Sequence, residues 1–384
     1  MTVISAPRLL VDGRLTGPGA VVVDEGYIAA VLDAVPAPGR DHLRLDEGML
    51  TPGLLDLHNN GAFGVDFAEA TPAEWERVLA DLASRGVTGV QPTFITAPPA
   101  ELIAAANRCR VAAHAPATRP VARILGVHLE GPFINPKRRG AHRPECMLDP
   151  TPRALDALLH EEAMAQMLTT VTLAPERDHA LEATRRLAAA GVVVSVGHSD
   201  ATAAQVRAAA DAGATMITHV FNAQRSFAHR DPGVPGAAMT DERLFVGLIV
   251  DGRHVDPLAC DVVFRAAPGR VVAVSDSILT AGLPDGTPLT FGGQPVANDA
   301  TGLGRRPDGT IAGAGIILDE GVRRMVTAGL DPAMVLTAAT ETPARAVGRT
   351  DLGRLAPGAH ADLVWWNDGL HPRRTWIGGT EVAV

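Results

Sequence analysis

The chain has 384 residues, of which 46% are hydrophobic and 20% are charged, and its formal net charge is −9. A chain of this length has room for one large domain and a smaller one. The negative charge argues against a general nucleic-acid-binding protein, because such proteins contact phosphates through an excess of Lys and Arg. No apolar run approaches the ~20 residues that a membrane helix needs, so no membrane partner is expected.

The cysteines and the N-terminal residues indicate the compartment. The three cysteines, Cys109, Cys146 and Cys260, are far apart and lack zinc-finger spacing. This pattern is typical of a reducing environment and not of a disulfide framework. Residues 1–10 lack the basic stretch followed by an apolar one that marks a secretion signal. We therefore expect a cytoplasmic protein.

Short strands separated by turns are predicted at both ends of the chain. They cover residues 20–23, 28–32, a run ending at residue 50, 363–366 and 377–384. Gly and Pro residues indicate the intervening turns, for example at residues 37–39. We expect the two terminal segments, residues 1–50 and 353–384, to pair as one small β-sandwich domain.

Apolar strands alternate with helices between these segments. Eight strands are predicted to end near residues 58, 93, 130, 173, 198, 219, 250 and 276. Helices are predicted at residues 71–85, 98–113, 151–162, 177–190, 201–212 and 257–266. The alternation predicts an α/β fold with a (β/α)8 TIM-like barrel over residues 51–352, with an open doubly wound sheet as the alternative. A polar, Gly-rich stretch around residues 285–310 is interpreted as a β-hairpin-like insertion after the eighth strand.

Polar side chains follow several of the predicted strands. Glu130, His198 and His219 each end a short run rich in β-branched residues, and Asp276 ends another apolar strand. A single His after a strand is more often an ordinary core or surface residue than a ligand. A carboxylate and two imidazoles on one rim of a barrel are, however, the ligand set of a catalytic zinc or a similar divalent ion. Such an ion leaves a position open for water and activates it near neutral pH.

Several longer motifs carry a resemblance to a known family. They are Pro-Gly-Leu-Leu-Asp-Leu-His at residues 52–58, His-Leu-Glu-Gly-Pro-Phe at 128–133, Arg-Gly-Ala-His at 139–142, Gly-His-Ser-Asp-Ala at 197–201, His-Val-Phe-Asn-Ala at 219–223, Asp-Gly-Arg-His-Val at 251–255 and Pro-Gly-Ala-His-Ala-Asp at 357–362. With these motifs the chain resembles N-acetylglucosamine-6-phosphate deacetylases of the amidohydrolase superfamily over nearly its whole length. The resemblance implies hydrolysis of N-acetyl-D-glucosamine 6-phosphate to D-glucosamine 6-phosphate and acetate, in amino-sugar catabolism and cell-wall recycling.

The same resemblance implies catalytic roles. Glu130, His198 and His219 would hold the metal. Asp276 would act as the general base toward the attacking water and then as the acid toward the leaving amine. His142 would help to polarise the acetamide carbonyl.

The resemblance also implies a site for the sugar phosphate. Asn222 and Ala223, together with His254 and Arg230, would bind the phosphorylated sugar. In relatives the matching arginine reaches in from a neighbouring subunit, so a homodimer is implied. The ordinary alternative for Arg230 is a solvated surface charge, and its surroundings match the family only loosely.

Two departures from related sequences bear on the metal and on catalysis. Many amidohydrolases have His-x-His after the first strand and bind two metals, but Asn60 replaces the second histidine after His58. An amide oxygen is a poor ligand for zinc, so one tightly held ion is predicted per subunit, with a second, weaker site at His58 and Asp276 left open. Zinc is the first expectation, and iron and manganese also suit these ligands. Ser275 and Ser277 flank Asp276 where relatives usually have Thr and Ala.

The sequence also bears on other functions of this superfamily and of this fold. The only lysine, Lys137, lies outside the fourth strand, which argues against amidohydrolases that bridge two metals with a carboxylated lysine there. Nucleobase deaminases of the superfamily depend on the His-x-His pair that is broken here. An alternative substrate is N-acetylgalactosamine 6-phosphate, which differs in one hydroxyl orientation. A non-catalytic binding protein on the same fold is the alternative from another class.

Overall fold

The structure is a computed structural model that describes residues 1–37, 39–116 and 118–383. Pro38, in a predicted turn, and Val384, at the end of the last predicted strand, lie outside the described residues. Within those ranges, no helix is both long enough and apolar enough to span a membrane. The cytoplasmic location stays a prediction.

The chain begins with short strands. These are β1 (Thr2–Ala6), β2 (Leu9–Val11), β3 (Arg14–Thr16), β4 (Gly19–Asp24), β5 (Tyr27–Leu32), β6 (His42–Arg44) and β7 (Met49–Pro52). The predicted strands at residues 20–23 and 28–32 correspond to β4 and β5. The short strands β1, β2, β3 and β6 have too few residues to show an alternating pattern in the sequence.

Strands and helices then alternate through the centre of the chain. The elements are β8 (Leu54–Asn59), β9 (Gly61–Ala62), β10 (Val65–Asp66), α1 (Pro72–Ser84), β11 (Val87–Ile95), α2 (Pro99–His114), β12 (Arg123–Ile124), β13 (Val127–Glu130), α3 (Pro152–Leu159), α4 (Glu162–Met167), β14 (Leu168–Leu173), α5 (Ala180–Ala189), β15 (Val193–Val196), α6 (Ala203–Asp211), β16 (Met216–Ile217), α7 (Gly233–Thr240), β17 (Phe245–Ile249), α8 (Pro257–Ala266) and β18 (Val271–Val274). Two short 3₁₀ helices, Pro136–Arg138 and Pro144–Cys146, lie in the loop after β13.

The last part of the chain contains an antiparallel sheet, three helices and the final strands. The elements are β19 (Leu289–Phe291), β20 (Gln294–Asn298), β21 (Leu303–Arg305), β22 (Ile311–Ala314), α9 (Leu318–Thr327), α10 (Pro332–Ala338), α11 (Glu341–Ala346), β23 (Leu363–Trp366), β24 (Pro372–Ile377) and β25 (Thr380–Glu381).

The central parallel strands form the barrel that the sequence predicts. They pair in the order β8, β11, β13, β14, β15, β16, β17 and β18. The barrel closes where the Asp276 amide donates a hydrogen bond of 2.9 Å to the His58 carbonyl, beside a bridge between Asn59 and Ser277. Because the strands are parallel, their carboxyl ends meet at one rim, and the (β/α)8 fold is confirmed.

The helices follow the predicted pattern with one clear difference. At the start of α1, Thr71 and Glu74 form the predicted capping box, and the Thr71 amide donates to the Glu74 carboxylate at 2.9 Å. The single helix predicted over residues 151–162 is instead α3 followed by α4. The backbone turns between them, which lets Met164 and Met167 of α4 enter the core as well as Leu158 of α3.

The terminal segments pair as two facing sheets. One sheet has the order β5-β4-β1-β6, and the other has the order β25-β24-β23-β7-β2-β3. Strand β23 from the C-terminal segment pairs antiparallel with β7 from the N-terminal segment. A buried core that includes Ile4, Val21, Leu50 and Trp376 lies between the sheets. The β-sandwich is therefore confirmed, while the division into domains at residues 50 and 353 stays a prediction.

The prediction of one final strand over residues 377–384 was wrong. The chain turns at Gly378 and Gly379, whose φ angles are 55° and 72°, and β24 pairs with β25 across this turn. Two consecutive residues with positive φ form the tight turn that antiparallel strands favour, and glycine adopts it without a steric penalty.

Strand β23 packs against both cores, which makes it a test of stability. Val364 and Trp366 face the barrel core, and Leu363 and Trp365 face the sandwich core, as expected for alternating side chains of a strand. Trp366 is fully buried, and its indole donates to the Thr51 hydroxyl at 2.9 Å. We expect Trp366→Ala to lower the free energy of unfolding by about 3–5 kcal/mol, measured by denaturant titration.

The neighbouring Trp365 provides the control for this measurement. It is only partly buried, so Trp365→Ala should be clearly less destabilising than Trp366→Ala. Equal losses in the two variants would contradict the assignment of Trp366 to the barrel core.

Candidate metal centre and active-site cleft

The barrel rim brings the polar strand ends together. Glu130 ends β13, while His198, His219 and Asp276 each follow the end of a strand by two residues. These three residues have positive φ angles of 47°, 24° and 50°. Left-handed backbone at residues other than glycine is uncommon and costs of order 1–3 kcal/mol each, and it is found most often at functional sites.

The Glu130 carboxylate lies at the centre of an imidazole cluster. Its Oε1 is 2.8 Å from His219 Nε2 and 3.0 Å from His198 Nε2. Its Oε2 is 3.4 Å from His58 Nε2 and 3.6 Å from His142 Nε2. All five side chains are buried. The ligand atoms of Glu130, His142 and His198 lie within 4.8 Å of one another, so the cluster could hold a metal ion, although this group contains His142 in place of the predicted ligand His219.

The hydrogen bonds of His198 show how its ring is oriented. Its Nδ1 is 2.8 Å from the Arg138 carbonyl oxygen, which can only accept, so this nitrogen carries the proton. The Nε2 lone pair then faces Glu130. Metal-binding histidines usually donate their second nitrogen in this way, because the bond fixes the tautomer and the direction of the ring.

Buried atoms without partners give a direct test of whether a cation fits. His58 Nε2 and His219 Nδ1 are buried and have no hydrogen-bond partner among the described residues. His58 Nε2 lies 3.3 Å from Asp276 Oδ1 and 3.4 Å from Glu130 Oε2. The His58 nitrogen and the two carboxylate oxygens converge in a buried space and need a positive charge between them, whereas His219 contacts Glu130 through Nε2, so its Nδ1 lies outside this group. The residues present therefore fit a divalent cation.

The pKa values of the cluster show that its carboxylates favour a positive charge close to them. Burial opposes the charged form of His58, but Glu130 and Asp276 outweigh it and raise its pKa to about 9. Burial also disfavours the charged form of Glu130, yet the surrounding imidazoles, His58 foremost, hold the pKa of that carboxyl well below its usual range. Burial lowers the pKa of His219. A carboxylate beside a neutral imidazole is the protonation state that metal binding requires.

Asp276 is held at the edge of this cluster and faces the cleft. The Asn60 amide nitrogen donates to Asp276 Oδ1 at 3.1 Å and to the Ser277 carbonyl at 3.2 Å. Asn60 therefore points a donor at Asp276, while its Oδ1 is buried and has no hydrogen-bond partner among the described residues. That Asn60 does not replace a histidine ligand stays a prediction.

The two serines that flank Asp276 fix its backbone. Ser275 donates from its hydroxyl to the buried Asp56 carboxylate at 2.5 Å, and its hydroxyl accepts from the Ser277 amide at 3.0 Å. The Ser277 hydroxyl donates to the Gly61 carbonyl at 3.1 Å. These contacts tie the residues on both sides of Asp276 to β8, the first strand of the barrel, and to β9 directly after it. Sequence reasoning gave Asp56 no role, although its position in the Asp-Leu-His motif was a usable signal.

His142 approaches the cluster from the loop after β13. The Thr96 amide, which can only donate, lies 3.2 Å from His142 Nδ1. The proton of a neutral ring is therefore on Nε2, the nitrogen that faces the cluster. Burial and the nearby His198 lower the pKa of His142 to about 4, so the ring is neutral at pH 7. A neutral imidazole with an N–H toward the cleft is a hydrogen-bond donor for a carbonyl oxygen. Thr96 was not identified from the sequence.

The cleft beside the cluster has a volume of about 420 Å³. Asn222, Ala223 and His254 line it together with Asp276 and His142. His254 Nδ1 is 2.7 Å from the Asp251 carboxylate. Burial disfavours the charged form of His254, but Asp251 outweighs burial and raises the pKa of the imidazole. This ring is therefore suited to binding an anion.

Two other cationic residues lie away from the cleft. Arg230 is exposed and is not among the residues that line the cleft, so the structure does not bring it to the site of its own chain. Lys137 is exposed, with its ammonium 3.9 Å from Asp200. Its position leaves no lysine at the end of β14.

One arginine that was not identified from the sequence, Arg305 of β21, does line the cleft.

Comparison with known proteins places this site in context. Residues 49–382 match the family model described as "Amidohydrolase family". An N-acetylgalactosamine-6-phosphate deacetylase of Escherichia coli O157:H7 is 37% identical over 380 residues, covering 98% of each chain. An N-acetylglucosamine-6-phosphate deacetylase of Vibrio furnissii is 34% identical over 382 residues, covering 98% of this chain and 94% of the relative.

A solved structure of a deacetylase is also similar to this chain over its whole length. It is a mutant N-acetyl-D-glucosamine-6-phosphate deacetylase from Mycobacterium smegmatis in complex with N-acetyl-D-glucosamine-6-phosphate. It superposes with a TM-score of 0.91 at 33% identity and covers 100% of this chain and 99% of its own.

Proposed function

The chain belongs to the amidohydrolase family and shares with its relatives the activity of an amino-sugar-6-phosphate deacetylase, and on that premise we propose that its substrate is N-acetyl-D-glucosamine 6-phosphate. The products are D-glucosamine 6-phosphate and acetate. The observation that carries the proposal is the buried Glu130–imidazole cluster with Asp276 beside it at the floor of one cleft. A non-catalytic protein on this fold would have no need for a buried cluster of carboxylates and imidazoles at one cleft.

The proposed metal ligands are Glu130, His198 and His219. A divalent ion bound there supplies a Lewis acid that activates water and polarises a carbonyl oxygen near neutral pH. We propose one ion per chain, with zinc as the first choice because two imidazoles and a carboxylate suit it. Iron and manganese remain alternatives. The position between His58 and Asp276 would be the weaker second site.

The remaining groups would carry out the proton transfers. Asp276 accepts a proton from the attacking water as the new C–O bond forms, and it returns the proton to the nitrogen as the C–N bond breaks. His142 donates from Nε2 to the oxygen of the acetamide as negative charge develops there. The Asn60 hydrogen bond to Oδ1 orients the Asp276 carboxylate for both transfers.

The sugar phosphate would extend from this centre toward Asn222, Ala223 and His254. A cationic His254 can form charge-assisted hydrogen bonds with a phosphate. We propose that Arg230 completes this site from the other subunit of a homodimer. Its exposure supports this arrangement, because a residue that serves a neighbouring subunit has to lie on the surface of its own.

N-acetylgalactosamine 6-phosphate is the second candidate substrate. The deacetylase of Escherichia coli O157:H7, which shares 37% identity with this chain, is named for that sugar. The two sugars differ only in the orientation of one hydroxyl group. Acetate release from both phosphorylated sugars and from their plain counterparts distinguishes the candidates directly.

We expect the wild-type protein to hydrolyse the 6-phosphate substrate far better than plain N-acetylglucosamine. Binding energy at the phosphate can orient the acetamide, so its loss affects kcat as well as KM. Arg230→Ala should lower kcat/KM for the phosphorylated sugar far more than for the plain sugar. Steady-state rates of acetate release measure both effects.

Subunit mixing tests the dimer. A mixture of Arg230→Ala subunits with Asp276→Asn subunits should recover part of the activity, because a heterodimer has one site with both groups intact. A mixture no more active than its components would contradict the shared site. Equal rates on phosphorylated and plain sugars would contradict the proposed substrate.

A further inference from the structure

The lining of the cleft carries charges of both signs, and these have opposite effects on an anionic substrate. Glu130 and Asp276 contribute two carboxylates to its lining. Among the described residues that line the cleft, Arg305 is the only lysine or arginine. A phosphate dianion that enters the cleft therefore meets one permanently charged cation from the same chain.

The insertion after the barrel presents Arg305 to this cleft. The antiparallel strands β19 to β22 form a four-stranded sheet, and Arg305 of β21 pairs with Ile311 on β22. Phe291 and Ile311 of the same sheet, and Thr310 directly before β22, line the cleft with it. The Ser277–Ala314 bridge connects this sheet to the segment that follows Asp276. The insertion is thus attached directly to the catalytic rim.

Two contacts hold the Arg305 guanidinium in place. Its Nε donates to Asp299 Oδ2 at 2.6 Å, and its Nη1 donates to the Gly309 carbonyl at 2.9 Å. No partner for Nη2 occurs among the described residues. An arginine has five N–H groups in a fixed planar arrangement, so an oriented guanidinium retains donors for a further acceptor. Holding the side chain beforehand reduces the entropy lost when a ligand binds.

Asp299 orients this arginine and also takes part in a turn. Its Oδ1 accepts from the amides of Thr301 and Leu303 at 2.8 Å and 3.1 Å. The carboxylate therefore has a structural reason to be there, and it neutralises part of the Arg305 charge. The effect of Arg305 on an anion should be correspondingly moderate.

We propose that Arg305 is a specificity-determining residue that binds the phosphate of the sugar substrate from within the same chain, in the cleft that His254 also lines. This inference rests on the proposed function, since it names a further residue of that site. Arg305 and His254 line the same cleft, so both can contact one anion bound there.

The test compares three variants on phosphorylated and plain substrates. Arg305→Gln should lower kcat/KM for the 6-phosphate sugar by about 10- to 100-fold, the usual effect of losing a hydrogen bond to a charged group, mainly through KM. It should leave kcat/KM for the plain sugar nearly unchanged. Arg305→Lys should recover part of the loss, because it restores the charge but not the planar geometry.

Asp299→Asn is the matched structural control. It weakens the contact that holds Arg305 but keeps the guanidinium, so it should retain the preference for the phosphorylated sugar. If Arg305→Gln and Asp299→Asn lower the rates on both sugars equally, Arg305 only supports the insertion and the inference is wrong. If the wild type prefers the phosphorylated sugar and Arg305→Gln keeps that preference, the inference alone is overturned. If the wild type shows no preference, the proposed function itself fails.

Discussion

Asp276→Asn should keep the fold and most of the bound metal while its rate of acetate release falls by roughly two to four orders of magnitude, the usual value of acid–base catalysis. The amide has the same shape as the carboxylate, but it cannot accept and return the proton. The structure makes this substitution mild for the backbone, because Ser275 and Ser277 fix the residues on both sides through their own hydrogen bonds. Single-turnover rates and the metal content of the same preparation measure the two quantities separately.

A distant carboxylate provides the control for this variant. Asp368 pairs with Arg8 at the surface, and its side chain is 71% exposed. Asp368→Asn should therefore have normal activity and metal content. Near-normal turnover in Asp276→Asn would show that another group moves the proton.

His198→Ala or His219→Ala should remove most of the metal and nearly all activity. A catalytic site with three protein ligands cannot lose one of them and still hold its ion tightly. Both Nε2 atoms lie within 3.0 Å of Glu130 Oε1, so each substitution opens the same side of the cluster. Elemental analysis of the purified variants, with acetate release measured in parallel, tests the expectation.

His58→Ala should cost much less metal, because His58 approaches the other carboxylate oxygen at 3.4 Å and belongs to the proposed weaker site. His160, with 79% of its side chain exposed, serves as a neutral control for the loss of a histidine. Two stoichiometric ions in the wild type would contradict the single-metal proposal. Full metal content in His219→Ala would remove that residue from the ligand set.

The barrel and most of its strands could be predicted from the sequence because burial on both faces leaves a strong local signal. Apolar runs such as Val271–Val274, followed by a polar residue, mark both the strand and the point where it reaches the rim. The capping box at Thr71 and Glu74 is equally local. The candidate ligands could be predicted for the same reason, since parallel strands necessarily bring their carboxyl ends together.

The final strands were predicted less well because their structure depends on pairing. The turn at Gly378 and Gly379 joins β24 to β25, and β24 pairs in turn with β23. The Gly378-Gly379 pair is a local turn signal in the sequence, but the extent of the strands on either side of it depends on their pairing. The division into α3 and α4 similarly depends on tertiary packing, because both helices bury side chains in the core.

The sequence by itself determined the fold class, the order of the strands along the chain and the types of side chain at the rim. Each of these follows from local patterns, namely apolar runs that alternate with helical stretches and the polar residue that follows each run. Only the tertiary structure decided which nitrogen of His198 and His142 carries the proton, since that depends on the Arg138 carbonyl and the Thr96 amide. It also decided that Arg305 faces the cleft. These contacts join segments that are distant in the chain, and no local pattern specifies the distance or the direction of a hydrogen bond between them.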